Sequence, residues 1–387
     1  MKIVFLSNYF NHHQKPLSDA LFSLCDEYYF VATGKMSYER KKLGYENLTA
    51  PYVLDYSEEE SPDEQILKIV DDADVVISGS CPEYFLKSRK KKKKLIFRYS
   101  ERPVKGNKEF IKYFPRLVLW NYKNPKNSPI FLLSASAYAS YEYSKFFLFK
   151  NKAFKWGYFT EVKKYPEGID FLQRKKASNS ILWVARLIEL KHPEAAIYVA
   201  EKLKKDGYSF TLKIIGDGYL KNDLKKMIEE KNLNKNVMLL GAMNPNQVRE
   251  EMERSEIFLF TSDKQEGWGA VLNESLNSGC AVVADHEIGA VPFLIKNGEN
   301  GLIYRDGNLD DLYKKTKKLI DDKEFRQTLS KNAYDTMVYE WSPYVAAKRL
   351  IEFSECIILN KDYSEHFKSG PCSRAEIIKD NWFKNET

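Results

Sequence analysis

A chain of 387 residues, 43% hydrophobic and 30% charged, carries enough apolar side chain for two ordinary domains and is too long for one typical core. Its 23 Phe, 25 Tyr and 6 Trp need burial while 18 Gly and 14 Pro are near average abundance, which excludes disorder, collagen-like repetition and low complexity. The 61 basic against 54 acidic side chains leave a formal charge of +7, a modest excess that favours anionic partners without naming one.

Residues 2–6 read as a short buried strand, and Leu17, Ala20 and Leu21 recur at helical spacing after a polar turn, giving a β–loop–α opening. That opening holds one basic side chain and runs straight into Asn8 and the polar stretch 11–14, unlike a secretory leader. No run of 18 apolar residues follows, so no transmembrane helix is expected. Cysteines at 25, 81, 280, 356 and 372 lack the paired spacing of a zinc knuckle or a disulfide scaffold, which places the chain in a reducing, cytoplasmic compartment.

Further strands are predicted at 28–32, 74–78 and 95–99, with a helix over 61–72 that aligns Ile66, Ile69 and Val70 on one stripe. From 87 to 94 every residue except Ser88 is Lys or Arg, and Lys105, Lys108 and Lys112 follow. This strip is either a solvated loop or a face for an anionic membrane surface. Nucleic acid is not expected, because no recognised reading module accompanies the charge. Between 105 and 150, Phe110, Tyr113, Phe114, Leu117, Leu119 and Trp120 alternate with basic residues, as in a helix packed on the sheet or one facing an acceptor or membrane. Residues 155–159 read as a last strand, and the polar stretch 161–179 carries the domain boundary, so the first domain spans 1–165.

A second α/β cycle starts with a strand at 180–184. A helix face of Ala196, Val199, Ala200 and Leu203 and a strand at 210–215 follow. Strands at 236–240, 257–260 and 280–284 with a helix over 248–254 continue an open parallel sheet through 166–340. Trp341, Tyr344, Ala347 and Leu350 mark a late helix, and 341–387 is set apart as that helix and a tail whose few apolar residues suit docking back onto the body.

The most informative stretch is 261–274, Thr-Ser-Asp-Lys-Gln-Glu-Gly-Trp-Gly-Ala-Val-Leu-Asn-Glu, which joins an apolar strand to a helix. Gly267 and Gly269 permit a tight turn, and the amides that open the helix suit a phosphate. Glu274, one turn inward, suits vicinal ribose hydroxyls. Glu266 and Glu274 stand eight residues apart, and 184–191 reads Val-Ala-Arg-Leu-Ile-Glu-Leu-Lys after the first strand of the second half.

Together these stretches resemble the retaining glycosyltransferases of the GT-B fold, family 4 (glycosyl transferases group 1). The resemblance implies an α/β architecture of two Rossmann-like domains facing a central cleft, with a C-terminal helix packing back toward the first domain. By resemblance, Arg186 and Lys191 clasp the donor diphosphate, Glu266 lies on the donor-sugar side, and Glu274 holds the nucleotide ribose. Gly216, Trp268, Gly269, Ala270, Val271, Gly289 and Ala290 complete the donor site. Ala290 takes the place of a second glycine, and Phe293 stands where the family commonly has a glutamate.

In the first half, residues 8–14 depart from the family's glycine-rich loop. His12 and His13 there, with Arg98, Glu101 and Arg102 after a later strand, are the candidate acceptor contacts, alongside ordinary loop packing and salt-bridged structure. The implied reaction moves a hexosyl or N-acetylhexosaminyl group from a nucleotide diphosphate sugar, UDP favoured over GDP, to a glycan or lipid-linked glycan in surface polysaccharide synthesis. Neither a cofactor nor an essential metal is implied. Peripheral attachment at the inner membrane face goes with a lipid-linked acceptor. The competing functions are a nucleotide-sugar epimerase or hydrolase and a noncatalytic nucleotide-sugar-binding regulator.

Overall fold

Among the described residues of a computed structural model, thirteen short strands form two all-parallel sheets, each in its own unit. The structure describes residues 1–36, 48–56, 63–104, 114–305, 307–363 and 366–383, the side chains of Phe114, Arg116 and Leu117 excepted. One unit comprises 1–161 and 341–379, the other 162–340 and 380–387. The late helix therefore belongs with the first unit although it follows the second in sequence.

The first unit holds β1 (Lys2–Ser7), β2 (Glu27–Ala32), β3 (Val53–Asp55), β4 (Val75–Ser78), β5 (Ile96–Ser100), β6 (Ile130–Ser134) and β7 (Ala153–Lys155), ordered β3-β2-β1-β4-β5-β6-β7. The central strands are buried along nearly their whole length, so they read as continuous apolar runs, as sheets covered on both faces do. The helix Glu64–Asp72 is capped by Asp63, whose carboxylate accepts from the Gln65 amide at 2.8 Å, and it buries Ile66 and Val70 against this sheet. The late helix Pro343–Ile358 packs against the first helix, Lys15–Leu24. Its Phe353 lies among Phe97, Phe131 and Phe154 with ring centroids 4.4 to 6.4 Å apart. After it, the Cys372 amide donates to the Lys155 carbonyl, the Lys155 amide to Ser373, and the Ala375 amide to Ala153, so the tail lies antiparallel along β7.

The basic run 87–94 is not one solvated strip. Arg89 is fully buried, and its guanidinium donates to the carbonyls of Val70, Asp71, Ala73, Asp74 and Leu95 at 2.6 to 3.3 Å. It thereby satisfies acceptors at the C-terminal end of the helix Glu64–Asp72 that have no intrahelical donor. Lys90 pairs with Glu83 and Lys92 with Asp71. Burial pulls the Arg89 pKa down to about 10. The remaining members of the predicted strip, Lys105, Lys108 and Lys112, lie outside the described residues, as do Phe110 and Tyr113.

The second unit holds β8 (Ser180–Val184), β9 (Thr211–Ile215), β10 (Val237–Gly241), β11 (Ile257–Phe260), β12 (Ala281–Asp285) and β13 (Leu302–Tyr304), ordered β10-β9-β8-β11-β12-β13. In chain order this is the 3-2-1-4-5-6 arrangement of nucleotide-binding Rossmann folds, and the direction of strand succession reverses between β8 and β11. The loops leaving the carboxyl ends of those two strands meet at this switch point, where open parallel sheets of this kind hold their ligands. Trp183, Ile181, Ile214, Leu259 and Val283 build the core beneath it, with Ala196, Val199, Ala200 and Leu203 of the helix Pro193–Lys205 on one face.

Candidate functional site

The loops after β8 and β11 are tied together at that reversal point. Thr261 accepts a hydrogen bond from the Trp183 indole N–H at 2.8 Å, and its hydroxyl lies 2.7 and 3.0 Å from the carbonyls of Lys191 and His192. The Asp263 amide donates to the Leu190 carbonyl at 3.0 Å. Lys191, closing the short 3-10 turn Glu189–Lys191, extends its ammonium to the Glu266 carboxylate, with both side chains largely buried. Residues 75 positions apart thus form one cation–carboxylate pair at the switch point.

Two glycines allow this approach. Gly216 has φ +145° at the end of β9, and a Cβ there would sit 1.8 Å from the Ala185 carbonyl oxygen, so only glycine lets the β9 exit lie on the chain carrying Arg186. Gly269, with φ +91°, caps the helix Ala270–Asn277, and a Cβ there would meet the Phe260 ring at 2.4 Å and the Glu266 side chain at 3.4 Å. The first amides of that helix, Ala270 and Val271 among them, have no carbonyl four residues earlier to bind, which makes its start an acceptor of negative charge. The donor loop is pinned to the same turn. The Gly289 amide donates to the Glu266 carbonyl at 3.4 Å and the Ala290 amide to Trp268 at 3.2 Å.

Glu274 occupies the fifth position of that helix and is half-buried. Burial raises its pKa to about 7, partly countered by the Arg249 guanidinium. Arg249 donates to the Glu274 carbonyl at 3.0 Å and to the Asn277 side chain, which fixes the helix rotation. Arg186 is exposed and forms no ion pair among the described residues. Of the four residues expected to share a donor, Lys191 and Glu266 are brought into contact, while Arg186 and Glu274 stand on the same two connections.

Several expectations change. Trp268 was expected on the donor, yet its side chain is fully buried, with the indole N–H donated to Asn273 at 2.9 Å and the ring 6.3 Å from that of Phe293. It is an internal anchor of the turn, and Phe293 packs against it. In the first unit, Arg98 donates to Asn124, Ser78, Glu83 and the Lys123 carbonyl. Arg102 is buried with Glu142 at 2.7 Å and covers the Tyr138 ring. Both guanidiniums brace the loop after β5. Glu101 accepts from the Tyr158 hydroxyl at 2.6 Å, and His13 stacks on Tyr158 with centroids 6.0 Å apart. His12 lies 4.1 Å from His13, its pKa lowered by burial. His12, His13 and Glu101 therefore share one cluster through Tyr158.

The sequence reading missed His192. Its φ of +47° is left-handed and rare for a non-glycine residue, and its ring joins Glu194 at 2.8 Å to Asp263 at 3.5 Å. The hydrogen bond that His192 donates to Glu194 and the charges of Glu194 and Asp263, against burial, raise its pKa to about 9. A cationic His192 thus follows Lys191 at neutral pH. The only signal was a histidine before the proline that opens the helix Pro193–Lys205. Among the described residues, no group of three or more His, Cys, Asp or Glu is placed to hold a metal ion, and no helix is long and apolar enough to cross a membrane.

Comparison with known proteins bears on the family and the fold. Residues 166–336 match the family described as "Glycosyl transferases group 1". The chain is 36% identical over 154 residues to a Campylobacter jejuni N-acetylgalactosamine-N,N'-diacetylbacillosaminyl-diphospho-undecaprenol 4-alpha-N-acetylgalactosaminyltransferase, covering 40% of each chain. It is 27% identical over 161 residues to a Staphylococcus aureus poly(ribitol-phosphate) alpha-N-acetylglucosaminyltransferase, covering 41% of this chain and 32% of that one. The chain spans about two fifths or less of the length of these two relatives. Among solved structures, Anabaena HepE in complex with UDP shares the fold at a TM-score of 0.67 and 15% identity, over 91% of this chain and 99% of HepE. A glycosyltransferase from Rickettsia africae shares it at 0.65 and 15%, over 93% and 99%.

Proposed function

We propose that this chain, which belongs to the group 1 glycosyltransferases and has their GT-B fold, moves a hexosyl or N-acetylhexosaminyl group from a nucleotide diphosphate sugar to a glycan or lipid-linked glycan, with retention at the anomeric carbon. The observation that carries this reading is the Lys191–Glu266 pair at the strand reversal of a 3-2-1-4-5-6 sheet, beside a glycine-capped helix start. A ligand that combines a diphosphate with a polyhydroxylated sugar answers both charges. Its phosphates suit Lys191, Arg186 and the amides of Ala270 and Val271, and its hydroxyls suit Glu266. The ribose hydroxyls fall to Glu274. UDP is favoured over GDP, in keeping with the bound nucleotide of the HepE structure.

In the reaction the bond from the anomeric carbon to the diphosphate oxygen breaks and one to the acceptor oxygen forms on the same face. The acceptor's proton passes to the departing diphosphate. Negative charge grows on that leaving group, and Lys191 and Arg186 stabilise it most where water is excluded. His12, His13 and Glu101 are the first-unit groups assigned to the acceptor, and an anionic membrane at the cytoplasmic face is the proposed surrounding of a lipid-linked one.

The test is a donor panel of UDP- and GDP-sugars with analysis of products and linkage. Sugar on an acceptor supports the reading. A changed free nucleotide sugar means an epimerase, free sugar a hydrolase, and binding with no turnover a regulatory protein; each of those refutes it.

A further inference from the structure

The first unit carries exposed apolar side chains on two elements joined to each other. On the helix Phe114–Lys123, Val118 is 61%, Leu119 47% and Tyr122 82% exposed, while Trp120 of the same helix turns inward and packs on Phe146 with centroids 4.9 Å apart. Asn121 donates to the Phe146 carbonyl at 3.2 Å, which joins this helix to the loop 145–152. In that loop Phe147 is 71% exposed and, like Phe149 and Asn151, holds a left-handed φ of 54° to 61°. Holding a bulky aromatic out into water in a disfavoured backbone conformation costs free energy twice and marks a site shaped for contact.

Beside the loop lies an open groove of about 810 Å³, walled by Phe147, Phe149 and Ile377, the last 60% exposed. Its rim carries Lys126, Lys150, Lys152 and Arg374 against a single acid, Glu376. The Arg374 guanidinium reaches the Asn151 side chain, and Ser140 holds the Glu376 carbonyl at 2.8 Å, so the tail forms one wall of a built groove. Exposed aromatics and aliphatics with cations at their edge are complementary to a bilayer interface, where rings sit at headgroup depth and lysines meet phosphates.

We propose that this face, formed by Leu119, Tyr122, Phe147 and Ile377 with Lys126 and Lys150, docks on a bilayer containing anionic phospholipid, the groove receiving a phosphate-bearing headgroup. The proposal gives a location to the membrane partner named above and rests on that part of the reading alone, since it needs no sugar transfer. It also assigns membrane contact to this face in place of the basic run 87–94, whose Arg89, Lys90 and Lys92 already serve internal partners.

The experiment is co-sedimentation with vesicles of phosphatidylcholine alone or with 30% phosphatidylglycerol, at low and high salt, with UDP titration as an independent check of folding. Wild-type protein is expected on the anionic vesicles, with retention falling as salt rises. Leu119→Ser/Tyr122→Ser/Phe147→Asn, in which Asn tolerates the left-handed backbone, is expected to lose at least tenfold in partitioning while binding UDP as before. Lys126→Glu/Lys150→Glu should lose a similar factor, at roughly fivefold per cation. Lys91→Glu/Lys93→Glu, on the exposed part of the other run, should partition normally. The proposal is overturned if wild type ignores anionic vesicles, if the apolar triple variant partitions like wild type, or if the Lys91/Lys93 variant alone loses binding. It is equally overturned if the face proves to be a contact between two copies, seen as a dimer that the triple variant abolishes without vesicle binding. Failure here with intact sugar transfer would leave the enzymatic reading standing.

Discussion

The proposed assignment of Glu274 to the ribose carries a definite pH dependence. Its pKa is raised to about 7 by burial, and only the carboxylate accepts hydrogen bonds from both ribose hydroxyls. For such a group the ionised fraction rises from about one tenth at pH 6 to about nine tenths at pH 8, so UDP affinity should increase about tenfold, or about 1.4 kcal/mol. The nucleotide's terminal phosphate also titrates near pH 6, so Glu274→Gln, which keeps the shape and removes the titration, is measured alongside. Calorimetric titration of UDP at pH 6, 7 and 8 should show a steeper rise for wild type than for Glu274→Gln, and a lower affinity for the variant at pH 8. Parallel profiles would refute the assignment of Glu274 to the ribose. Stability carries the opposite sign. Between the ordinary 4.5 and about 7 the folded protein holds a proton that the unfolded chain has lost, so this group's contribution is present at low pH and disappears as pH rises through 7.

Three more outcomes follow from particular contacts. Lys191→Met should lower kcat by about 10² to 10³, the usual cost of one preorganised donor to a leaving group, and Lys191→Met/Glu266→Gln should be clearly non-additive in single-turnover rates because the two side chains are paired. Gly216→Ala should cost about 1–3 kcal/mol in urea unfolding of the second unit and weaken UDP binding, since its methyl has no room against the Ala185 carbonyl; unchanged affinity would mean the β9 turn does not shape the site. Arg89→Met should cost about 3 kcal/mol or more by stranding buried carbonyls in the first unit, with UDP binding retained.

Much of this was legible in the sequence because parallel strands buried on both faces spell themselves as apolar runs. The segments 2–6, 180–184, 257–260 and 280–284 coincide with β1, β8, β11 and β12 to within a residue. The three-residue β3 and β13 escaped because they are too short to show a period, and the longer β6 because it follows a stretch whose aromatics and lysines obscured it. Residues 155–159 read as a strand, but pairing covers only Ala153–Lys155, and beyond it Trp156 and Phe159 turn into an aromatic cluster with Trp341, which hydrophobicity alone cannot distinguish from a strand. At the site, likeness to the family's motifs pointed to Lys191 and Glu266 without any knowledge of their contact. Loop position after a strand singled out Arg98 and Arg102 as well, yet a charged residue in a loop looks identical whether its partner is a ligand or a glutamate far along the chain. Trp268 was misplaced for a related reason, since a motif marks a turn and not the direction in which its side chains leave.

The antiparallel seam between residues 372–375 and β7 has a consequence for how this chain can be cut. Those few amide contacts are the outer boundary of a seven-stranded ribbon. Removing everything after the long closing helix would bare the backbone of Ala153–Lys155 as an open selvedge, ready to stitch one molecule to the next. A shortened version meant to simplify the protein would thus invite clumping through the very strip it uncovers, and a sacrificial proline or lysine at that margin would be the remedy.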